Sequence, residues 1–163
     1  MARQAIRHEG DTAKQLFRQL VPNSRQSSDI KRGDTEVLIN GHWHYVDIKQ
    51  CQSNTINQVR AIKFIPLIIF NGEGWYVIPP IDLVKIVALK SRGQHTEIPF
   101  ECASLSIDHL DERFRCNSRE LYKRVLIAFD QSKNNMDMKE VMDNLLSELQ
   151  TLNEQTKKQI ESF

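Results

Sequence analysis

Asp34, Asp47 and Lys49 have the side-chain types and the spacing for phosphate chemistry, and all three lie in one stretch, "GDTEVLINGHWHYVDIKQ", residues 33–50. Asn40-Gly41 separates two apolar-rich runs there, the strongest short signal for a hairpin with a type I′ turn. That turn sets Ile39 against His42, Leu38 against Trp43, Val37 against His44, Glu36 against Tyr45 and Thr35 against Val46. Asp34 then stands directly opposite Asp47. Directly paired residues have Cβ atoms about 4.5–5.5 Å apart, where like charges destabilise a sheet. A divalent cation offsets such a pair, because Mg²⁺ is held through one or two carboxylates together with waters and substrate phosphate oxygens. Alternation along the strand puts Lys49 on the face of Asp47, one pleat further on. The alternative is an exposed face on which Lys49 merely screens two solvated carboxylates. The strongly β-prone run and the apolar chain after it favour an internal strand instead.

An aspartate opening one strand, a tight turn, and Asp-Ile-Lys on the returning strand resemble the PD-(D/E)XK nuclease superfamily of restriction enzymes, Holliday-junction resolvases and homing-type relatives. Asp34 matches the aspartate of the first motif, Asp47 the acidic position of the second, and Lys49 its lysine. Gly33 stands where the motif has proline, and Asp47 takes the less usual aspartate form of the acid. Asp29, in "SSDIKRGD", is a rival for the first metal position, although the hairpin register favours Asp34. The resemblance implies a restriction-endonuclease-like α/β fold, a mixed central β-sheet with an αβββαβ core flanked by helices. It implies Mg²⁺ as cofactor, with Mn²⁺ able to substitute, and double-stranded DNA as substrate. Products with a 5′-phosphate and a 3′-hydroxyl follow from it. In this reading Asp34 and Asp47 hold the metal, and Lys49 orients or deprotonates the attacking water. A first-helix glutamate stands beside the metal in many members, which makes Glu9 a further catalytic and metal-ligand candidate. A polar residue on the element after the motif also recurs; Gln58 is chosen here over Asn57 and Arg60, whose alternative is an exposed helix face.

The elements that must position these residues follow from periodicity. Ala13, Leu16, Phe17 and Leu20 predict a first helix ending before Pro22, and Glu9 extends its stripe backwards. A start at Gly10-Asp11, with Asp11 as N-cap, would leave Glu9 outside it. "PNSRQSSDIKRG" reads as a polar loop. In the resembled fold it lies near the scissile phosphate, so Arg25, Lys31 and Arg32 are the DNA-backbone candidates, contacts that position without specifying sequence. "SNTINQVRAIKF" predicts a short helix with Ile56, Val59 and Ile62 or Lys63 on one side. "IPLIIFN" and "WYVIPP", joined through Gly-Glu-Gly, predict a second hairpin. "IDLVKIVALK" predicts a helix, "TEIPF" a strand, and "ECASLSIDHLDERFRC" fits neither period. Ser118 is the expected cap of a helix with Leu121, Val125 and Ala128 or Phe129 on one side. Met138, Met142, Leu145, Leu149 and Leu152 form a heptad seam that can pack on its own domain or on a second copy. A homodimer is favoured, since two sites related by a dyad serve two DNA strands. The expected organisation is a nuclease core over 1–115 and a helical extension over 116–163.

The chain has 163 residues, 40% hydrophobic and 26% charged, a composition that suits an ordinary globular domain. No apolar run approaches the roughly 20 residues of a membrane span, and "MARQAIRHEG" lacks a signal peptide's apolar region, so a cytoplasmic protein is expected. The three cysteines, Cys51, Cys102 and Cys116, show neither disulfide-framework nor metal-ligand spacing. The net charge is only +1, but the first 32 residues are basic on balance and the chain from Asp137 onward is acidic. His42 and His44 flank Trp43 yet fall on the side opposite Asp47. Together these readings point to a Mg²⁺-dependent DNA endonuclease, first of the site-specific restriction type, next a junction resolvase or homing-type enzyme. A DNA-binding module that has lost catalysis is the alternative from another class.

Overall fold

The computed structural model describes residues 12–51, 53–88, 101–134, 143 and 147. Its centre is the expected hairpin. Asn40 and Gly41 adopt φ of 52° and 81°, the positive values a type I′ turn demands. They join β2 (Thr35–Ile39) to β3 (His42–Gln50), and the pairs run from Ile39–His42 to Thr35–Val46 in the expected register.

β3 is internal. On its other side it runs parallel to β5 (Leu67–Phe70), which forms the second expected hairpin with β6 (Trp75–Ile78). A short strand β1 (Ser24–Gln26) pairs with β2, and β8 (Arg115–Cys116) with β6, which completes a mixed six-stranded sheet in the order β1-β2-β3-β5-β6-β8. The polar stretch after Pro22 is therefore partly an edge strand. Asn23, at φ 55°, turns the chain into it, and the Asn23 carbonyl accepts from the Leu38 amide.

Side chains alternate between two buried layers. Val37, Val46, Ile48, Ile68, Trp75 and Val77 pack against α1 (12–20) and α3 (Leu121–Asn134) through Ala13, Phe17, Leu121, Val125 and Ala128. Leu67, Ile69, Tyr76 and Ile78 face α2 (Pro80–Ala88) and a separate ribbon of β4 (Thr55–Arg60) and β7 (Glu101–Ser106). Each fully buried Val, Ile or Leu contributes about 1.5–3 kcal/mol relative to exposure, so the sheet is stabilised from both faces. α3 belongs to the same buried cluster as α1 and the sheet.

Two expectations are corrected. The helix predicted over residues 53–64 is the strand β4 followed by a 3₁₀ turn, Ala61–Lys63. Ile56 and Val59 have helical spacing, but Thr55, Ile56 and Val59 are β-branched, stiff at χ1 and suited to a pleated surface. β7 supplies the pairing that such a segment lacks alone, with Ile56 opposite Leu105. The cap before α3 is Asn117, not Ser118: Asn117 Oδ1 accepts from the Glu120 amide at 3.0 Å while Glu120 Oε1 accepts from the Asn117 amide at 3.4 Å. This reciprocal pair is a capping box. Ser118 Oγ instead accepts from Trp75 Nε1 at 3.3 Å.

Residues 107–116, which fit neither period, form 3₁₀ turns at Ile107–His109 and Glu112–Phe114 before β8. The strand expected at 96–100 and the heptad seam from Met138 to Leu152 lie outside the described residues.

Candidate functional site

Asp34 and Asp47 are brought together. Asp34 precedes the first residue of β2 and follows Gly33, and the reason for glycine is local. A Cβ at Gly33 would lie 2.8 Å from Tyr45 Cβ and 3.0 Å from the Val46 carbonyl oxygen. Real Cβ atoms are not found so close, and proline also carries a Cβ, so the close approach to β3 requires glycine where the resembled motif has proline.

Each carboxylate is tied to the other strand. The Ile48 amide donates to Asp34 Oδ1 and Oδ2 at 3.1 and 3.0 Å, and the Asp34 amide donates to Asp47 Oδ1 at 3.2 Å. Asp47 Oδ2 accepts from Lys63 Nζ at 3.0 Å. Burial raises the Asp34 carboxyl above its ordinary range; the Ile48 amide bond opposes this, the Asp47 charge adds to it, and Lys14 and Thr35 lower it. Ionised Asp34 is therefore held at some cost.

Lys49 shares this face: it pairs in register with Ile69 as Asp47 pairs with Leu67. Among the described residues it makes no ion pair. Among the described residues Lys63 is the cation in contact with Asp47, and the sequence reading did not select it. The only available signal was its place in "RAIKF", which a helix reading turned toward the core.

The neighbouring rows of the same face are polar. Glu36 is 2% exposed, yet its Oε2 accepts from Arg25 Nε at 2.7 Å and its Oε1 from Ser28 Oγ at 3.0 Å. The Arg25 bond is the main reason its carboxyl lies below the ordinary range, with burial opposing and Ser28 and Tyr45 assisting. The Arg25 guanidinium also stacks 3.7 Å from the Trp43 ring centroid. Arg25 is thus committed to its own sheet, though its side chain is half exposed.

Lys31 and Arg32 are exposed, in a turn organised by Asp29. Asp29 Oδ1 accepts from the Lys31 amide at 3.1 Å, and its carbonyl accepts from the Arg32 and Gly33 amides at 3.1 and 3.3 Å. Asp29 serves the turn, and Asp34 is the residue hydrogen-bonded across to β3.

Gln58 lies on β4 and not on a helix, as do Asn57 and Arg60; the Gln58 side chain is outside the described residues, and so is Glu9. His44 rests 5.1 Å from the Phe129 ring, on the side opposite Asp47. A cleft lined by Val77, Asp82, Arg113 and Arg124 is a separate feature that includes none of the site residues.

Comparison with protein-family models, with curated proteins and with solved structures gave no match. The chemistry of the donors is then the guide. Each carboxylate has about four lone-pair sites, more than the bonds above consume. The pair fits a hard divalent cation whose remaining ligands are water and phosphate oxygens. Among the described residues no third His, Cys, Asp or Glu joins it.

Proposed function

We propose that this chain is a metal-dependent endodeoxyribonuclease on a restriction-endonuclease-like core. The observation that carries the reading is the pair of cross-hairpin hydrogen bonds just beyond the last register pair, Thr35–Val46: the Ile48 amide donates to Asp34 and the Asp34 amide to Asp47, with Lys49 one pleat away on the face of Asp47. An antiparallel β1-β2-β3 meander continued by a parallel β5 supports it, as does α1 on the opposite face. The crossover between β3 and β5 departs from the resembled pattern, carrying β4 and a 3₁₀ turn in place of a helix.

Asp34 and Asp47 would hold Mg²⁺, or Mn²⁺ in its place. The bound ion would supply Lewis acidity toward a phosphate oxygen and a more acidic water. Lys49, without an ion pair among the described residues, would orient the attacking water and face the charge that grows on the phosphate oxygens. The backbone bonds from Ile48 and Asp34 fix both carboxylates in place before substrate arrives, which is where such sites gain most. Exposed Lys31 and Arg32, and the exposed half of Arg25, are the proposed contacts to the DNA backbone. Duplex DNA with a defined site is the proposed substrate, and a homodimer the proposed assembly.

One observation favours a second reading, a DNA-binding module without catalysis. Asp47 already has a cation in Lys63, and Asp34 a backbone donor, so the patch is satisfied without metal.

End analysis of cleaved DNA separates the readings. Linear duplex and a synthetic four-way junction, each incubated with the protein and Mg²⁺, are expected to give discrete duplex fragments with ligatable 5′-phosphate ends. Cleavage of the junction alone would move the substrate to branched DNA. Retained DNA binding with neither substrate cut would establish the inactive module.

A further inference from the structure

Among the described residues the lysine that touches Asp47 is not the one in the hairpin. Lys63 Nζ stands 3.0 Å from Asp47 Oδ2, and the two side chains are only 21% and 15% exposed. The chain is turned to bring it there. Lys63 closes the 3₁₀ turn that begins at buried Ala61, and the next residue, Phe64, is left-handed at φ 53° with its amide donating to the Ala61 carbonyl at 3.0 Å. Bulky side chains rarely adopt that conformation, and it persists where surrounding contacts over-determine it. One such contact is the Asp47 amide, which donates to the Pro66 carbonyl at 3.1 Å. The segment carrying Lys63 is thus anchored to Asp47 through both backbone and side chain.

We propose that Lys63 is a built-in counter-ion of Asp47 beside Asp34, which a divalent cation must displace and which a DNA phosphate draws away. Cation binding is then weak in the free protein and strengthened by DNA. The inference rests on the nuclease reading and adds the order in which its parts assemble. An ammonium and a divalent ion on the same carboxylate repel each other, and in a half-buried site that repulsion is poorly screened. A phosphodiester gives the ammonium another anionic partner, and the flexible four-carbon stem of lysine lets it change partners. By linkage, whatever DNA adds to cation affinity the cation adds to DNA affinity. Lys63 acts through Asp47 and is a positioning residue, distinct from Lys49.

The test is Mn²⁺ binding to the full chain, read from the spectroscopic signal of the free ion, with and without duplex DNA. Wild type, Lys63→Met, Lys63→Arg and Asp47→Asn are compared. Without DNA, Lys63→Met is expected to bind Mn²⁺ about tenfold more tightly than wild type, a modest share of what a neighbouring unit charge can contribute. It should lose most of the DNA enhancement, while Lys63→Arg behaves as wild type. Melting adds a second readout. Lys63→Met leaves Asp47 without the ammonium, holding only the Asp34 amide, and should melt lower in EDTA, with Mn²⁺ restoring it. Binding that Asp47→Asn abolishes but Lys63→Met leaves unchanged would overturn the counter-ion role and spare the nuclease reading. So would a melting loss that Mn²⁺ does not repair, the mark of a purely structural ion pair. Absence of Mn²⁺ binding in every variant would overturn both.

Discussion

At the residue scale, Asp34 and Glu36 lie two positions apart on one face and are driven in opposite directions. Burial raises Asp34, so its ionised form is disfavoured in the fold. The resulting cost appears as pH rises from the ordinary value of about 3.9 through the folded value, and persists above it. Asp34→Asn should therefore raise the melting temperature at neutral pH in EDTA; in a chain of this size each kcal/mol of relief corresponds to about 2–4 °C. The same variant should lower cleavage at least about a hundredfold. Glu36 is lowered, chiefly by its Arg25 hydrogen bond. Its contribution is complete above about pH 4.3 and is lost as pH falls through the folded value. Urea denaturation from about pH 6 down to 3 should show stability falling at the acid end, with a shallower fall in Glu36→Gln. Equal slopes in the two proteins would mean that Glu36 is not the group responsible.

At the element scale, the hairpin decides where the carboxylates stand. Gly33→Ala places a Cβ within 2.8 Å of Tyr45 Cβ, so either β3 or Asp34 must shift. A loss of about 1–3 kcal/mol is expected from overpacking, measured by urea denaturation, together with weaker cation binding. Stability and binding both unchanged would show that the strand entry relaxes freely. β8 makes a different prediction. Cys116 is buried on it, and that burial pushes its thiol up to about 11. With Cys51 and Cys102 replaced by serine, a thiol reagent at about pH 8 should react with Cys116 only after unfolding. The hairpin was legible in the sequence because turn chemistry and strand alternation are both local: Asn40-Gly41 sets the register out to Thr35–Val46, and Asp34 and Asp47 follow at its open end, linked through the Asp34 amide and Asp47 Oδ1. β4 was not, because Ile56 and Val59 satisfy a helical period and the strand that overrides it begins at Glu101. Lys63 was missed for the same reason, since the helix reading carried it away from Asp47.

At the scale of the whole molecule, a mixed α/β architecture is what the alternating and helical periods of the sequence imply, and the six-stranded sheet has it, with edge strands β1 and β8 that those periods did not mark. They do not reveal the separate β4–β7 ribbon, a long-range pairing that no local pattern encodes. Among the described residues no helix is long and apolar enough to cross a membrane. The sheet presents Asp47 on the face that carries Leu67 and Ile69 and packs on α2 and that ribbon, and commits Val46 and Ile48 to the opposite layer. Isosteric Asp→Asn replacement at the site should therefore leave the opposite layer, with Val46 and Ile48, intact. The most direct measurement is nicking of supercoiled plasmid by one preparation of wild type, divided between Mg²⁺ and EDTA, beside a folded Asp47→Asn variant. The nuclease reading predicts nicked and linear products only for wild type with Mg²⁺. Nicking by Asp47→Asn at the wild-type rate, or by wild type in EDTA, would contradict it.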